Sequence, residues 1–190
     1  MKTIYKIFDY DKELFLYLNS KHAEWLDPIM LVLSSFTSWI LVCVVIICLM
    51  IYKGGKWRFT APLALLLTIG VNAALNNFVK FLVERPRPIH VEAWQGIIYA
   101  IEEYERSYSF YSGHSSNSFA MAVFALLYFR NKAFTCIAIL WATAVAYSRI
   151  YLGKHYPIDI ATGIICGVVV GMFCYKLFER YQRKKLKPEL

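Results

Sequence analysis

The sequence predicts an all-α integral membrane protein, a bundle of about five transmembrane helices preceded by an amphipathic helix lying in the membrane interface. Two observations carry this reading. The 190 residues are 58% hydrophobic and only 18% charged, too apolar for one water-exposed globule of this length. The apolar residues are also gathered into long runs, with the basic residues set between them.

The first 28 residues are too polar to span a bilayer. Ile4, Ile7, Phe8, Leu14, Phe15 and Leu18 recur on roughly one helical face with Lys and Asp between them, the pattern of an interfacial helix. No basic start followed by a clean apolar stretch and a small-residue cleavage site marks a signal peptide. Ile29–Tyr52 is the first expected span and Phe59–Val83 the second, uncharged until Lys80. Ser115–Phe129 is a shorter third. Ala133–Leu152, with Arg149 near its end, is the fourth, and Ile158–Tyr175, with Asp159 at its start, the fifth. Gly163, Gly167 and Gly171 recur every fourth residue in the last span, which suits close helix packing in lipid and equally the ordinary glycine content of membrane helices.

Charge sets the orientation. Lys53, Lys56 and Arg58 lie between the first two spans, Arg130 and Lys132 between the third and fourth, and Arg180, Arg183, Lys184, Lys185 and Lys187 after the last. With five spans these segments share one side, which the positive-inside rule makes cytoplasmic. The net charge of +8 is therefore a topology signal. No nucleic-acid partner is expected, because the basic residues are split among short loops with no reading module. The five cysteines all sit inside apolar runs without a C-x-x-C pair and read as small buried hydrophobes. The chain reads as one domain, residues 1–190, with no repeat and no mark of an oligomeric state. Its one long loop runs from Glu84 to His114, a length that points to function or disorder.

Lys80, Arg87, His114, Arg149, His155 and Asp159 come from separate regions, yet in the five-span arrangement all fall at the outer ends of helices. Ionisable residues at membrane depth are a functional-site signal, and snorkelling alone does not account for two histidines and an aspartate at one level. Three cations with these groups make an anion site holding acid, base and nucleophile candidates. Ser112-Gly113-His114 leads into a helix whose first N–H groups can face an anion. Pro157 favours a helix start that puts Asp159 within reach of His155, where a carboxylate on one ring nitrogen leaves the other free to attack.

These residues carry a family resemblance. Lys80 through Arg87-Pro88 resembles the K-x6-R-P motif of the type 2 phosphatidic acid phosphatases. Tyr111-Ser112-Gly113-His114 resembles their P-S-G-H motif, with tyrosine in place of proline, and Ser148-Arg149 through His155 to Asp159 resembles S-R-x5-H-x3-D. The motif core covers residues 80–159. The resemblance implies that His155 attacks phosphorus to form a phosphohistidine, that His114 protonates the leaving oxygen, and that Asp159 orients His155. It implies that Lys80, Arg87, Ser112, Gly113 and Arg149 hold the phosphate oxygens, with no metal and no cofactor. The expected partners are the lipid bilayer and a membrane lipid phosphate, with undecaprenyl diphosphate preferred on layout. Lipid A, phosphatidylglycerophosphate and phosphatidic acid are the alternatives, and an anion-binding bundle or transporter is the non-enzyme reading. The expected setting is a bacterial inner membrane with the site on its outer face.

Other residues have plainer readings. Arg85, next to the first motif, is expected to be a loop cation near lipid headgroups, with a place in the phosphate site as the other reading and Glu84 as a candidate partner. His22 and His90 read as surface histidines without metal-ligand spacing. Asn72, Asn76 and Asn77 read as interhelical hydrogen-bonding groups or cavity lining. Trp94, Ile97, Ile98 and Tyr99 are candidates to contact the lipid, and Glu102, Glu103 and Glu105 form a solvated acidic run.

Overall fold

The computed structural model describes residues 2–101 and 106–186, with side chains from residue 6 onward. The acidic run and Lys187 lie outside the described residues. Among those described are seven α-helices and no strand: α1 Lys2–Asn19, α2 Asp27–Ser34, α3 Phe36–Lys53, α4 Thr60–Val83, α5 Gly113–Phe129, α6 Lys132–Tyr151 and α7 Pro157–Leu186. Four of the five expected spans, α3, α4, α6 and α7, are long and apolar enough to cross a membrane. The remaining one, the third expected span, is α5, which has 17 residues and is the central helix, buried along most of its length.

Local chemistry sets the boundaries. Asn131 caps α6 by accepting the Phe134 N–H at 2.9 Å, and the Ser112 hydroxyl caps α5 by accepting the Ser115 N–H at 3.4 Å. Glu84 and Arg130 end α4 and α5 in the left-handed region, at φ 48° and 50°. The first expected span is in fact two helices. Pro28 opens α2, and Ser35 then takes an extended conformation (φ −73°, ψ 142°) whose hydroxyl accepts the Ser38 N–H. A serine that bonds its neighbouring backbone offers the chain an alternative to continuing the helix.

α5 packs most extensively on α7, and also on α6 and α4. The glycine stripe makes the main contact. A Cβ at Gly163 would stand 2.8 Å from the Ser112 carbonyl oxygen and one at Gly171 2.7 Å from that of Ala120. At Gly167 it would overlap the Ser116 carbonyl. Asn72 of α4 donates to the Ser116 hydroxyl at 3.0 Å and to the side-chain amide oxygen of Asn117 at 2.7 Å, the interhelical bonding expected of it.

The N-terminal helix is more than an interfacial float. Ile7, Phe8 and Leu14 stay exposed, but Phe15 is fully buried, stacked on Trp94 at 5.5 Å and against Tyr156 at 5.6 Å. Asn19 holds the Tyr99, Ile150 and Tyr151 carbonyls and accepts the Tyr99 N–H. Trp94 and Tyr99 thus fasten the long loop to α1 and α6, where a lipid contact was expected.

The glycine stripe yields a direct check. Gly167→Ala should lower bundle stability by about 1–3 kcal/mol, the usual cost of overpacking, read as a reduced unfolding midpoint in detergent. Gly70→Ala, where an added Cβ meets nothing within 4 Å, should leave the midpoint unchanged or slightly raised.

Candidate functional site

A cavity of about 250 Å³ opens where α3, α4, α5, the α6–α7 connection and the long loop meet. Its lining includes Lys80, Arg87, Gly113, His114, Arg149 and His155, six of the eight residues singled out from sequence. The other two lie behind it. Ser112 is fully buried with its hydroxyl engaged as the α5 cap, and its N–H donates to the Asp159 carbonyl at 3.1 Å. Asp159 is fully buried on the far side of His155. Both therefore support the wall instead of facing the space.

His155 lies between α6 and α7. Gly153, at φ 73°, makes the turn there. The Lys154 and His155 N–H groups then bond back to the Arg149 carbonyl at 2.9 and 3.2 Å. The imidazole is thereby fixed between two sets of partners. On one side Arg87 Nη1 lies 3.3 Å from Nε2. A guanidinium only donates, so Nε2, at the cavity wall, accepts from Arg87 and the ring proton is assigned to Nδ1. On the other side Nδ1 faces Ser109 Oγ at 3.4 Å and Asp159 Oδ2 at 3.6 Å. The expected direct bond from Asp159 is thus long, and Ser109 fills the gap, donating to Asp159 Oδ2 at 2.5 Å. Burial, and then the charges of Arg87, Arg149 and Lys80, hold His155 well below its ordinary 6.5, so it is neutral at physiological pH.

The cations are anchored through loop backbone and hydroxyls. Arg87 Nε donates to the Ser107 carbonyl at 2.6 Å, Nη2 to Ser107 Oγ at 2.7 Å and Nη1 to the Lys154 carbonyl at 3.1 Å. Lys80 donates to the Tyr108 carbonyl, and Arg149 to the Ser34 hydroxyl at the α2–α3 break. Tyr111 stands where the related motif has proline. It is buried, and Asn76 donates to its carbonyl at 2.7 Å, which holds the turn before α5. Asn76, Asn77 and Asn117 extend the cavity below the cations, and Phe36 and Trp39 supply an apolar wall from α3.

One expectation is corrected. Arg85 is not a headgroup cation. Its Nη1 lies 2.6 Å from Asp159 Oδ1 and its Nη2 2.7 Å from Asp11 Oδ2, with the guanidinium 3.8 Å over the Tyr156 ring. Glu84, its candidate partner, interacts instead with the Tyr108 hydroxyl and raises the pKa of that group. Sequence reasoning also missed Ser107, Ser109 and Ser34. Each is a serine in a loop or at a break, and only proximity to the motifs hinted at the first two.

The arrangement can bind a tetrahedral oxyanion among three cations and present to it an unprotonated nitrogen, with a second histidine across the cavity. A cavity this small admits a phosphate and the first atoms of its leaving group, so the bulk of a larger substrate stays outside.

Comparison with known proteins gives a consistent picture. The model of the PAP2 superfamily matches residues 61–183. The lipid A 4'-phosphatase of Porphyromonas gingivalis is 30% identical over 90% of this chain and 74% of its own. The undecaprenyl-diphosphatase BcrC of Bacillus subtilis is 23% identical over 83% of this chain and 77% of its own. The crystal structure of a transmembrane PAP2 type phosphatidylglycerolphosphate phosphatase from Bacillus subtilis superposes with a TM-score of 0.74 at 24% identity, covering 97% of this chain and 90% of that one.

The cation-lined cavity should bind an inorganic oxyanion. Orthovanadate at 100 times its dissociation constant should stabilise the folded protein by about 2.7 kcal/mol, seen as a raised unfolding midpoint in detergent. Arg87→Gln should remove most of that rise. An equal rise in wild type and variant would place the anion elsewhere.

Proposed function

The chain belongs to the PAP2 superfamily, and from that premise we propose that its membrane lipid phosphatase activity runs through a phosphohistidine on His155, without a metal ion. The observation that carries the mechanism is the Nε2 lone pair held beside Arg87 at 3.3 Å. The lipid phosphate enters among Lys80, Arg87 and Arg149, whose fixed charges supply the electrostatic stabilisation that phosphoryl transfer chiefly requires. Arg87 Nη1 transfers its hydrogen bond from Nε2 to a phosphate oxygen, Nε2 attacks phosphorus in line, the bond from phosphorus to the lipid oxygen breaks, and protonated His114 gives that oxygen its proton. The growing positive charge on the imidazole is met by Asp159, with Ser109 between them. Water, deprotonated by His114, then attacks phosphorus, the P–N bond breaks, and inorganic phosphate leaves.

The substrate we favour is a phosphate borne on the sugar of a lipid A type glycolipid. Two observations support it. The Porphyromonas relative acts, by its name, on lipid A, and it matches this chain at higher identity than BcrC does. The cavity wall at Asn77, and at Asn76 and Asn117, whose amides also bond Tyr111 and Asn72, is polar and suits the polar atoms next to a sugar phosphate better than a bare hydrocarbon chain. Undecaprenyl diphosphate is the second reading, supported by BcrC. In either case the apolar tail remains in the bilayer. The basic segments gather at the end opposite the cavity, where Arg130 reaches Glu179 and Trp57 packs on Phe178 and Tyr181. This supports a site on the outer face of the membrane under the positive-inside rule.

His155→Ala should abolish phosphate release by purified protein, and EDTA should leave the wild-type rate unchanged. Loss of activity with EDTA and recovery with Mg²⁺ would rule out the metal-free route. In mixed micelles, lipid A should be turned over faster than undecaprenyl diphosphate. The reverse order would favour the second reading.

Cysteines introduced at Ile97 or Arg106, after removal of the native ones, should react with an impermeant reagent from outside. One at Lys56 should not. Labelling of position 56 alone would invert the orientation.

A further inference from the structure

We propose that Asp11, on the N-terminal helix, is a positioning residue of the phosphatase reaction, acting through Arg85 on Asp159 and so on His155; this rests on the phosphohistidine reading above. α1 lies outside residues 61–183 that the superfamily model matches, yet it delivers a fully buried carboxylate to the back of the nucleophile.

Arg85 forks between the two carboxylates, Nη2 to Asp11 at 2.7 Å and Nη1 to Asp159 at 2.6 Å. The Asp11 and Asp159 side chains are fully buried, and Arg85 is 13% exposed. The second oxygen of Asp11 accepts the Ile158 N–H at 2.8 Å, in the first turn of α7. The second oxygen of Asp159 accepts from Ser109 and from the Tyr156 N–H at 3.1 Å. Both carboxylates are thus held at both oxygens, and Asp11 fixes the helix end that carries Asp159.

The charge balance gives the arrangement a chemical consequence. A guanidinium placed on Asp159 alone would draw its negative charge away from His155 at the moment the imidazole becomes cationic. Asp11 offsets that guanidinium. Two carboxylates and one cation leave a net negative charge behind the nucleophile, in a buried setting where such charge acts strongly. Removing the Asp11 charge should therefore slow phosphoenzyme formation while leaving the phosphate-binding wall untouched.

The test uses the full chain in detergent. Asp11→Asn keeps the shape and an oxygen for the Ile158 N–H, and removes the charge together with the oxygen that accepts from Arg85 Nη2. Its kcat should fall roughly tenfold to a hundredfold, the scale of a misplaced catalytic group, with KM and inhibition by inorganic phosphate within about twofold of wild type. Adding Arg85→Gln to this variant removes the unbalanced cation and should recover part of the lost kcat, a rescue that a purely structural role would not give. Lys12→Ala, on the exposed face of the same helix, should behave as wild type. If Asp11→Asn does not fold, Arg85→Lys serves instead, since it keeps the charge and loses the fork; its kcat should fall with KM held. Wild-type kcat in the folded variant overturns the proposal. So does a loss carried by KM, or a double variant no better than Asp11→Asn alone. Activity retained by His155→Ala would instead overturn the phosphohistidine reading on which it stands.

Discussion

The close approach of α5 to α7 is the constraint on which the rest of the structure depends. In a bilayer, helices gain little from the hydrophobic effect against one another, so packing and interhelical hydrogen bonds must hold them. Gly163, Gly167 and Gly171 leave no Cβ between α7 and the α5 backbone at the three points of closest approach. The two helix starts then meet, joined by the Ser112 N–H to Asp159 carbonyl bond. His114 opens one helix and His155 precedes the other, so their distance is fixed by backbone packing and not by loop conformation. Backbone that cannot slide is what in-line transfer needs, because a misplacement of about 1 Å is costly there.

Around that fixed pair the long loop works as a set of acceptors. Its carbonyls at Ser107 and Tyr108 receive Arg87 and Lys80, and its Ser109 stands between His155 and Asp159. The loop is itself tied down at a distance, through Trp94 on Phe15 and Tyr99 on Asn19. The described part of this loop is thereby held by the N-terminal helix, whose Asp11 and Asn19 make buried polar contacts that a helix resting on the interface would not need.

The helices and the outline of the site were legible in the sequence, because apolar runs report transfer out of water and motif spacing reports which helix ends carry polar groups. Lys80, Arg87, His114, Arg149 and His155 all face one cavity. Three things were not legible. The break at Ser35 lies inside a run with no ionisable side chain, and hydropathy averaged over the run does not register a serine that bonds the neighbouring backbone. Arg85 and Arg87 are near neighbours in one Arg-Pro-Arg-Pro stretch, and nothing local says that one faces the cavity while the other turns to a carboxylate 74 residues away. Ser109 has no periodic or motif context at all; its place depends on its N–H bonding to the Arg85 carbonyl at 2.7 Å. Such long-range polar pairings depend on tertiary geometry, which a one-dimensional pattern does not encode.

The shortness of α5 has a consequence for where the reaction sits. Seventeen residues rise about 26 Å, less than the roughly 30 Å of a typical hydrocarbon core. One end of this helix is the basic turn at Arg130, and the other carries His114. With Arg130 at one headgroup layer, His114 stops short of the opposite one. Because α5 is enclosed by α4, α6 and α7, the bilayer has no need to thin for it, and His114 lies in a recess toward which the lipid phosphate must descend. The depth of that recess is set by the length of α5, so how far a phosphate must leave the headgroup layer is fixed by the protein.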